Sequence, residues 1–216
     1  MPETIVPALF IATKNAGKLV EFGELLEPYG VSTQRYEWYR DVTEGERSYA
    51  ENAALKARAL REQLAEHGVV GDVLADDSGL EIEALDGRPG IVSARYGGLD
   101  VSWSQRRALL IAEVAATRDG ARRAAFVCAL HHVDSDGRER TAWGRCDGRL
   151  VAAERGNGGF SYDAIFAPSG GAVTFAEISR ARKNEISHRA RAIRNLFGSP
   201  ASESSRNRVS SSGDGT

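Results

Sequence analysis

Two adjacent carboxylates, Asp76 and Asp77, are the residues of this sequence with the clearest potential for chemistry. They follow an apolar run at 73–75 that predicts a buried strand, and a Ser-Gly pair comes after them. We therefore expect the carboxylates at the end of a strand, where ligands collect in α/β sheets. Their oxygens would suit Mg²⁺, a hard cation. The alternative is a solvated turn, because Asp, Ser and Gly are common turn residues.

A loop near the N-terminus is a candidate for binding phosphate. The apolar run at 8–13 predicts a strand, and a helix is expected directly after Lys18. Lys14 and Gly17 lie in the loop between these elements. A helix N-terminus offers free N–H groups and a positive dipole end, which favour a phosphate. However, the loop lacks the GxxxxGK[ST] pattern, and many strand–helix turns carry a Lys and a Gly without a ligand.

Lys56 is a second candidate for contact with phosphate, on a predicted helix from Ser48 to about His67. The helix carries an apolar stripe at helical spacing, formed by Ala53, Ala57, Leu60 and Leu64. Lys56 flanks this stripe, so its amine could neutralise phosphate oxygens near the carboxylate pair. An ordinary surface lysine is the alternative.

A glycine-rich stretch, RGNGGFSYDAIFAP at residues 155–168, contains two aromatic residues and an aspartate. The rings of Phe160 and Tyr162 could stack on a nucleobase, and Asp163 could accept a hydrogen bond. A glycine-rich hairpin with two core aromatics is the alternative interpretation.

The last predicted helix begins after Ser187, which is a good N-cap residue. His188 and Arg189 then lie in its first turn. Basic residues at this end oppose the helix dipole, so their presence favours an anionic or polar ligand there.

Three further segments are predicted strands. The first comprises residues 31–36, the second is the continuous apolar run at 124–133, and the third, at 139–151, would pair with the second through the turn at 134–137. His131 and His132 are neighbours on the second of these, so their side chains should point to opposite faces of the sheet. We interpret both as structural, since they cannot easily bind one metal.

The sequence also predicts a helix from Ser102 to about Thr117 and a polar C-terminal tail. The buried face of that helix is expected to contain Ala108, Ile111, Ala112 and Ala115. Residues 1–198 are assigned to one domain. Residues 199–216 are assigned to a disordered tail, because they are rich in Ser, Arg and Gly with almost nothing apolar to bury.

Composition excludes several classes of function. With 216 residues, 42% hydrophobic residues and a net charge of −2, the chain is typical of a globular α/β protein and lacks the basic surface expected of a nucleic-acid-binding protein. It has no apolar run long enough to span a membrane, and no signal peptide is recognised. Two distant cysteines, Cys128 and Cys146, are interpreted as free thiols of a cytoplasmic protein.

Five segments occur in an order that resembles one known family. They are ATKNAGKLVEF, ENAALKARA, ADDSGLEIEALDGRPGIVSARYGG, RGNGGFSYDAIF and KNEISHR, and the resemblance covers the chain from about residue 8 to 197. They resemble the inosine triphosphatase family, also called dITP/XTP pyrophosphatases, which act on non-canonical purine nucleoside triphosphates. Each segment alone is a weak signal, whereas all five in order are highly specific.

The resemblance implies a fold, an activity and an assembly. The expected fold is α/β, a mixed twisted sheet with flanking helices, in two lobes with the active site in the cleft between them. The expected activity is Mg²⁺-dependent hydrolysis of ITP, dITP and XTP to the monophosphate and pyrophosphate, which removes deaminated purines from the nucleotide pool. A homodimer is also implied.

The resemblance further implies roles for particular residues. The triphosphate loop would comprise Thr13, Lys14, Asn15, Ala16, Gly17 and Lys18. The catalytic residues would be Asp77, as acid–base and metal residue, with Asp76 beside it and Lys56 contacting phosphate. Glu44 would be a second carboxylate linked to the metal, and Ser78 would touch substrate. The nucleoside-binding set would be Phe160, Ser161, Tyr162, Asp163, Lys183, His188 and Arg189.

The sequence departs from the family at Ser161. Relatives usually have Gly-Phe-Gly-Tyr-Asp where this chain has Gly-Phe-Ser-Tyr-Asp, so a positive φ at Ser161 would be strained. The segment around Glu44 is also only a partial match. Two alternatives remain open from sequence: a pyrophosphatase for other nucleotides, and a nucleotide-binding regulator without turnover.

Overall fold

The computed structural model describes residues 8–117 and 121–200. Six strands form one sheet: β1 (Leu9–Ile11), β2 (Thr33–Gln34), β3 (Asp72–Ile82), β4 (Arg123–Val133), β5 (Glu139–Leu150) and β6 (Phe166–Pro168). Their order across the sheet is β2-β1-β3-β4-β5-β6. β1 pairs in parallel with β2 and β3, and the remaining pairs are antiparallel. The mixed sheet expected from the sequence is confirmed.

Helices flank the sheet, as expected. They are α1 (Ala16–Leu26), α2 (Tyr49–Glu66), α3 (Trp103–Ala116), α4 (Arg180–Ile186) and α5 (His188–Phe197). Short 3₁₀ helices occur at Glu27–Tyr29, Glu83–Leu85, Gly90–Arg95 and Asp163–Ile165. Side chains of Ser48, Ser102 and Ser187 cap α2, α3 and α5 by accepting a backbone N–H three residues on.

β3 is the strand at which the sheet changes from parallel to antiparallel pairing, and it carries both carboxylates. It pairs with β4 without interruption from Val73 to Ile82. The prediction that a strand ends at Asp76 and Asp77 is therefore wrong, since the strand continues through both. The alternative of a solvated turn is wrong as well, because these residues are 1% and 5% exposed. Continuous pairing with an apolar neighbour strand outweighs the local turn tendency of Asp, Ser and Gly.

Alternate residues of β3 pack against different helices. Ala75 belongs to a buried cluster with Leu60 of α2. Leu74 belongs to another cluster with Leu26 of α1 and Ile193 of α5. Because side chains alternate along a strand, the two carboxylates that follow point to opposite faces of the sheet.

The predicted apolar face of α2 is confirmed, whereas that of α3 is wrong. Leu110 and Val114 are the apolar residues that α3 buries, together with Arg106. Of the residues expected inside, Ala108, Ala112 and Ala115 are exposed and Ile111 is half-buried. Larger side chains gain more from burial, so they define the inward face and leave the alanines outside.

His131 and His132 lie in separate hydrogen-bond networks. The ring of His131 contacts the hydroxyl of Thr141 and the carboxylate of Glu139, at 2.8 and 3.0 Å. His132 Nε2 lies 3.2 Å from a carboxylate oxygen of Asp72. The two rings do not share a ligand site, in agreement with the structural interpretation.

Two predictions, the C-terminal tail and the division into two lobes, are not tested by these observations. The tail at 199–216 lies outside the described residues from 201 onward, and the division into two lobes stays a prediction. Within the described ranges, no helix has the length and apolar character needed to cross a membrane.

Candidate active site

Asp76 is enclosed by cationic and hydroxyl groups on the face covered by α1 and α5. Lys18 Nζ lies 2.8 Å from its Oδ1, and Arg189 Nε lies 3.1 Å from its Oδ2. The hydroxyl of Ser78 donates to the same Oδ2 at 3.1 Å. Burial by itself would raise the pKa of Asp76, but Lys18, Arg189 and Lys56 hold this pKa well below its usual range. Asp76 is therefore held in its ionised form, with partners on both carboxylate oxygens.

Asp77, on the face covered by α2, is much less compensated. Asn52 Nδ2 donates to its Oδ2 at 2.9 Å, and Lys56 Nζ lies 3.7 Å from its Oδ1. Burial is the largest influence and raises the pKa of Asp77, against the opposing effects of Lys56 and Asn52. A carboxylate with a raised pKa that lines a cavity is suited to accept a proton or bind a cation.

Glu44 lies in the loop before α2 and reaches the same place. Lys56 Nζ bridges the two acidic groups, 2.8 Å from Glu44 Oε1 and 3.7 Å from Asp77 Oδ1. Asn52 connects the loop to Asp77, because its side chain also exchanges hydrogen bonds with the backbone of Gly45. Asn52 was not among the predicted site residues, although its position one turn before Lys56 was a usable signal.

The donor set at this position fits Mg²⁺ bound together with a substrate. Asp77 and Glu44 line one cavity and offer hard carboxylate oxygens. Among the described residues there is no group of three or more His, Cys, Asp or Glu side chains placed to hold a metal by themselves. Mg²⁺ in nucleotide enzymes commonly uses one or two carboxylates and completes its shell with phosphate and water, which this pair would permit.

The N-terminus of α1 forms the lysine-rich edge of the site. The helix begins at Ala16 and not after Lys18 as predicted, with Asn15 as N-cap accepting the N–H of Lys18. Lys18 therefore lies in the first turn and points to Asp76. Lys14 is exposed at an adjoining opening that Thr13 also lines. The backbone N–H groups of this first turn are still expected to bind an anion.

The glycine-rich stretch supplies the other end of the cavity. Asp163 Oδ2 accepts the backbone N–H of Phe160 at 2.8 Å and the amine of Lys183 at 2.7 Å. The amine of Lys183 also lies 4.8 Å from the centre of the Phe160 ring, a cation–π distance. Tyr162 is fully buried, and its hydroxyl donates to the carbonyl of Ser93 at 2.9 Å. Phe160 is thus the better placed of the two aromatic rings to meet a base.

Arg189 joins the two ends of the cavity through three acidic or hydroxyl partners. Beyond its contact with Asp76, it donates to Glu21 at 2.9 Å and to Ser78 at 2.7 Å. Glu21 was missed in the sequence analysis, although it lies one turn after Lys18 on α1.

His188 is buried, and this burial, with the nearby Arg189 and Lys183, lowers its pKa well below the usual value, so its ring is neutral at pH 7.

The structure brings most of the predicted site residues to one cavity. Its lining includes Asn15, Lys18, Glu44, Asp77, Ser78, Phe160, Ser161, Tyr162, Asp163, His188 and Arg189. Lys56 lines the adjoining opening with Lys14, and Ala16, Gly17 and Lys183 line a second adjoining cavity beside Phe160. Asp76 does not line the cavity but contacts Lys18, Ser78 and Arg189, which do. The roles assigned to these residues stay predictions, whereas their proximity is established.

A mixed α/β sheet with a buried carboxylate pair, a rim of lysines and an aromatic end defines a protein built to hold a polyanion beside a planar group. Residues 9–199 match the Ham1 family, and the chain belongs to that family. It is 42% identical over 193 residues to the dITP/XTP pyrophosphatase of Streptomyces coelicolor, covering 87% of this chain and 94% of the relative. It is 40% identical over 191 residues to the dITP/XTP pyrophosphatase of Geobacillus kaustophilus, covering 87% and 91%.

Solved structures agree with this assignment. A HAM1 protein from Coxiella burnetii superposes with a TM-score of 0.77 at 31% identity, covering 88% of this chain and 96% of that one. The Ham1 protein of Staphylococcus aureus gives a TM-score of 0.73 at 34% identity, covering 88% and 95%.

Proposed function

We propose that this protein hydrolyses dITP, ITP and XTP to the monophosphate and pyrophosphate, with Mg²⁺ as its cofactor. The observation that carries the proposal is the placement of Asp77, a buried carboxylate with a raised pKa between Lys56 and the cavity. Relatives that are about 40% identical over most of their length are named dITP/XTP pyrophosphatases, which supports this substrate class.

Different residues of the chain would carry out different parts of the hydrolysis. Lys18, Lys56 and Lys14, with the amides of the first turn of α1, neutralise phosphate oxygens. Asp77 accepts the proton of the attacking water as the new bond to phosphorus forms. The bond between the α and β phosphates breaks, and pyrophosphate leaves with the electron pair. Asp77 and Glu44 would hold Mg²⁺, which neutralises phosphate charge and polarises the water.

The aromatic end of the cavity would select the base. Lys183 and Arg189 carry only donors, and both have N–H groups beyond the contacts described above. A 6-keto purine presents an acceptor at position 6, whereas adenine presents an amino donor there. A buried unpaired donor costs about 1–3 kcal/mol, so this contact would favour ITP over ATP by roughly ten- to a hundredfold.

The test is a nucleotide panel at one Mg²⁺ concentration, scored separately for pyrophosphate and orthophosphate. We expect pyrophosphate from ITP, dITP and XTP, with kcat/KM far above that for ATP and above that for GTP. Equal values for ATP and ITP would favour a general nucleotide pyrophosphatase. Tight binding of these nucleotides without any product would favour a regulator without turnover.

We also propose a homodimer that acts on the cytoplasmic nucleotide pool. The support is the family resemblance. Light scattering across a range of protein concentrations, together with fractionation of cells, would test both parts.

A further inference from the structure

Ser161 holds a backbone conformation that normally belongs to glycine. Its φ is +59°, and the next residue, Tyr162, has φ −95° and ψ 7°. The N–H of Asp163 donates to the carbonyl of Phe160 at 3.1 Å, which closes a four-residue turn. The signs of φ are those of a type II′ turn, whose first central position favours glycine. A residue with a Cβ pays about tenfold in population for such a positive φ.

Arg107 of α3 holds the same turn from outside. Its Nη1 donates to the carbonyl oxygen of Ser161 at 2.8 Å, and its Nη2 lies 2.8 Å from Glu154 Oε2. Glu154 also accepts from the hydroxyl of Ser104, at 3.3 Å, on the same helix. The Arg107 side chain is only 16% exposed, so its charge-assisted bond to the carbonyl is poorly screened by solvent.

The turn determines the position of two groups at the aromatic end of the cavity. Phe160 precedes Ser161, and Asp163 accepts both the N–H of Phe160 and the amine of Lys183. If Ser161 returned to negative φ, this arrangement would not survive intact. The hydrogen bonds and ion pairs described for Arg107 and for Asp77 have no partner in common, so we expect the carboxylate site to be unaffected.

We propose that Arg107 is a positioning residue that fixes the Phe160–Asp163 turn for binding of the base, and so offsets the strain introduced by Ser161. The proposal rests on the proposed function for its kinetic consequence. It assigns Arg107 an effect on substrate binding and no direct part in hydrolysis.

The kinetic test is a double-mutant cycle of Arg107→Ala and Ser161→Gly, measured with ITP. We expect Arg107→Ala to raise KM about tenfold with kcat within about twofold of the parent chain. In the Ser161→Gly background, the same change should raise KM no more than about threefold, because glycine adopts positive φ without help. The proposal would be overturned by an equal rise in KM in both backgrounds, by a fall in kcat that exceeds the rise in KM, or by an unchanged KM.

A second measurement does not depend on turnover. Hydrogen exchange of the Asp163 amide, measured without nucleotide, should be about tenfold faster in Arg107→Ala than in the parent chain. Arg138→Ala is the matched control, since Arg138 is an exposed arginine paired with Asp136 on the β4–β5 hairpin. It should leave this amide unchanged. If the parent chain cleaves none of ITP, dITP and XTP, the proposed function fails, and exchange alone decides whether Arg107 holds the turn. Unchanged exchange in Arg107→Ala would then reject it.

Discussion

Asp76 and Asp77 are neighbours in the chain, yet they occupy opposite electrostatic environments. Asp76 has two cations and a hydroxyl within 3.1 Å, and its pKa is lowered. Asp77 has two amide donors, the Asn52 side chain at 2.9 Å and the Ser78 backbone at 3.0 Å, and a single lysine at 3.7 Å, and burial raises its pKa. Strand alternation sends one side chain toward α1 and α5 and the other toward α2, and the partners on each face then produce the difference.

The comparison separates stability from reactivity. A carboxylate that is saturated by partners holds its neighbours in place and has little capacity left for substrate. A carboxylate that is buried with incomplete compensation is costly to ionise, and a cation or a proton relieves that cost. We therefore expect substitutions at the two positions to fail in different ways.

Asp77→Asn should have the largest effect on activity. The change preserves shape but removes the proton acceptor and metal ligand, so kcat for ITP should fall by about 10²–10⁴-fold. The raised pKa means that Asp77 binds its proton more tightly in the folded state, so its contribution to stability is lost as pH rises. At pH 8 the variant should be as stable as the parent chain or more so. Near-normal pyrophosphate release by the folded variant would remove Asp77 from the mechanism.

Asp76→Asn should affect stability most. It leaves Lys18 and Arg189 buried without their carboxylate, and breaking a buried ion pair typically costs about 3–5 kcal/mol. The free energy of unfolding, measured in denaturant at pH 8, should fall by that amount. Because folding lowers the pKa of Asp76, its ionised carboxylate stabilises the fold at pH values above the unfolded pKa. This contribution is lost as the pH falls from the unfolded pKa through the folded pKa. Equal stability of the two Asn variants would contradict the comparison.

Lys18→Ala should lower both the stability of the fold and the binding of substrate, with each effect smaller than those of the two Asn variants. An exposed loop lysine would contribute little to folding, but Lys18 is 17% exposed and paired with Asp76. We expect a loss of about 1–3 kcal/mol in the free energy of unfolding and roughly a tenfold rise in KM for every triphosphate. A rise in KM confined to one base would show that Lys18 does not contact phosphate.

Glu44→Gln should change the response to metal and leave stability nearly intact. We expect the Mg²⁺ concentration for half-maximal activity to rise several-fold, since one of two carboxylate ligands is lost. Glu46→Gln is the matched control, because Glu46 is exposed in the same loop and pairs with Arg95. An identical Mg²⁺ response in both variants would assign Glu44 only to its ion pairs with Lys56 and Arg95.

The pH profile provides the smallest but most specific test. Activity requires ionised Asp77, so kcat/KM should fall as pH drops through its raised pKa, above the ordinary value of about 3.9. Added Mg²⁺ favours the ionised form and should move this acidic limb to lower pH. A limb that is independent of Mg²⁺ concentration would argue against Asp77 as the metal residue.

The sequence by itself determined which elements form and which motifs occur. The stripe of α2, the cap at Ser187 and the long strand at 124–133 are all local patterns, and the structure confirms them. Local patterns are readable because backbone periodicity and side-chain size act within a few residues. The possible strain at Ser161 was also readable, since it follows from a single Cβ, and the structure gives this residue a positive φ.

Only the tertiary structure decided how far β3 continues and which partners each carboxylate receives. The strand passes through Asp76 and Asp77 because β4, about 50 residues later, pairs with it. Glu21 and Arg107 enter the site through contacts with Arg189 and Ser161 that lie 168 and 54 residues away in sequence. Such contacts depend on packing between distant segments, so no local pattern reveals them. The charge and pKa of each group follow from the same packing, because desolvation and ion pairing act through space and not along the chain.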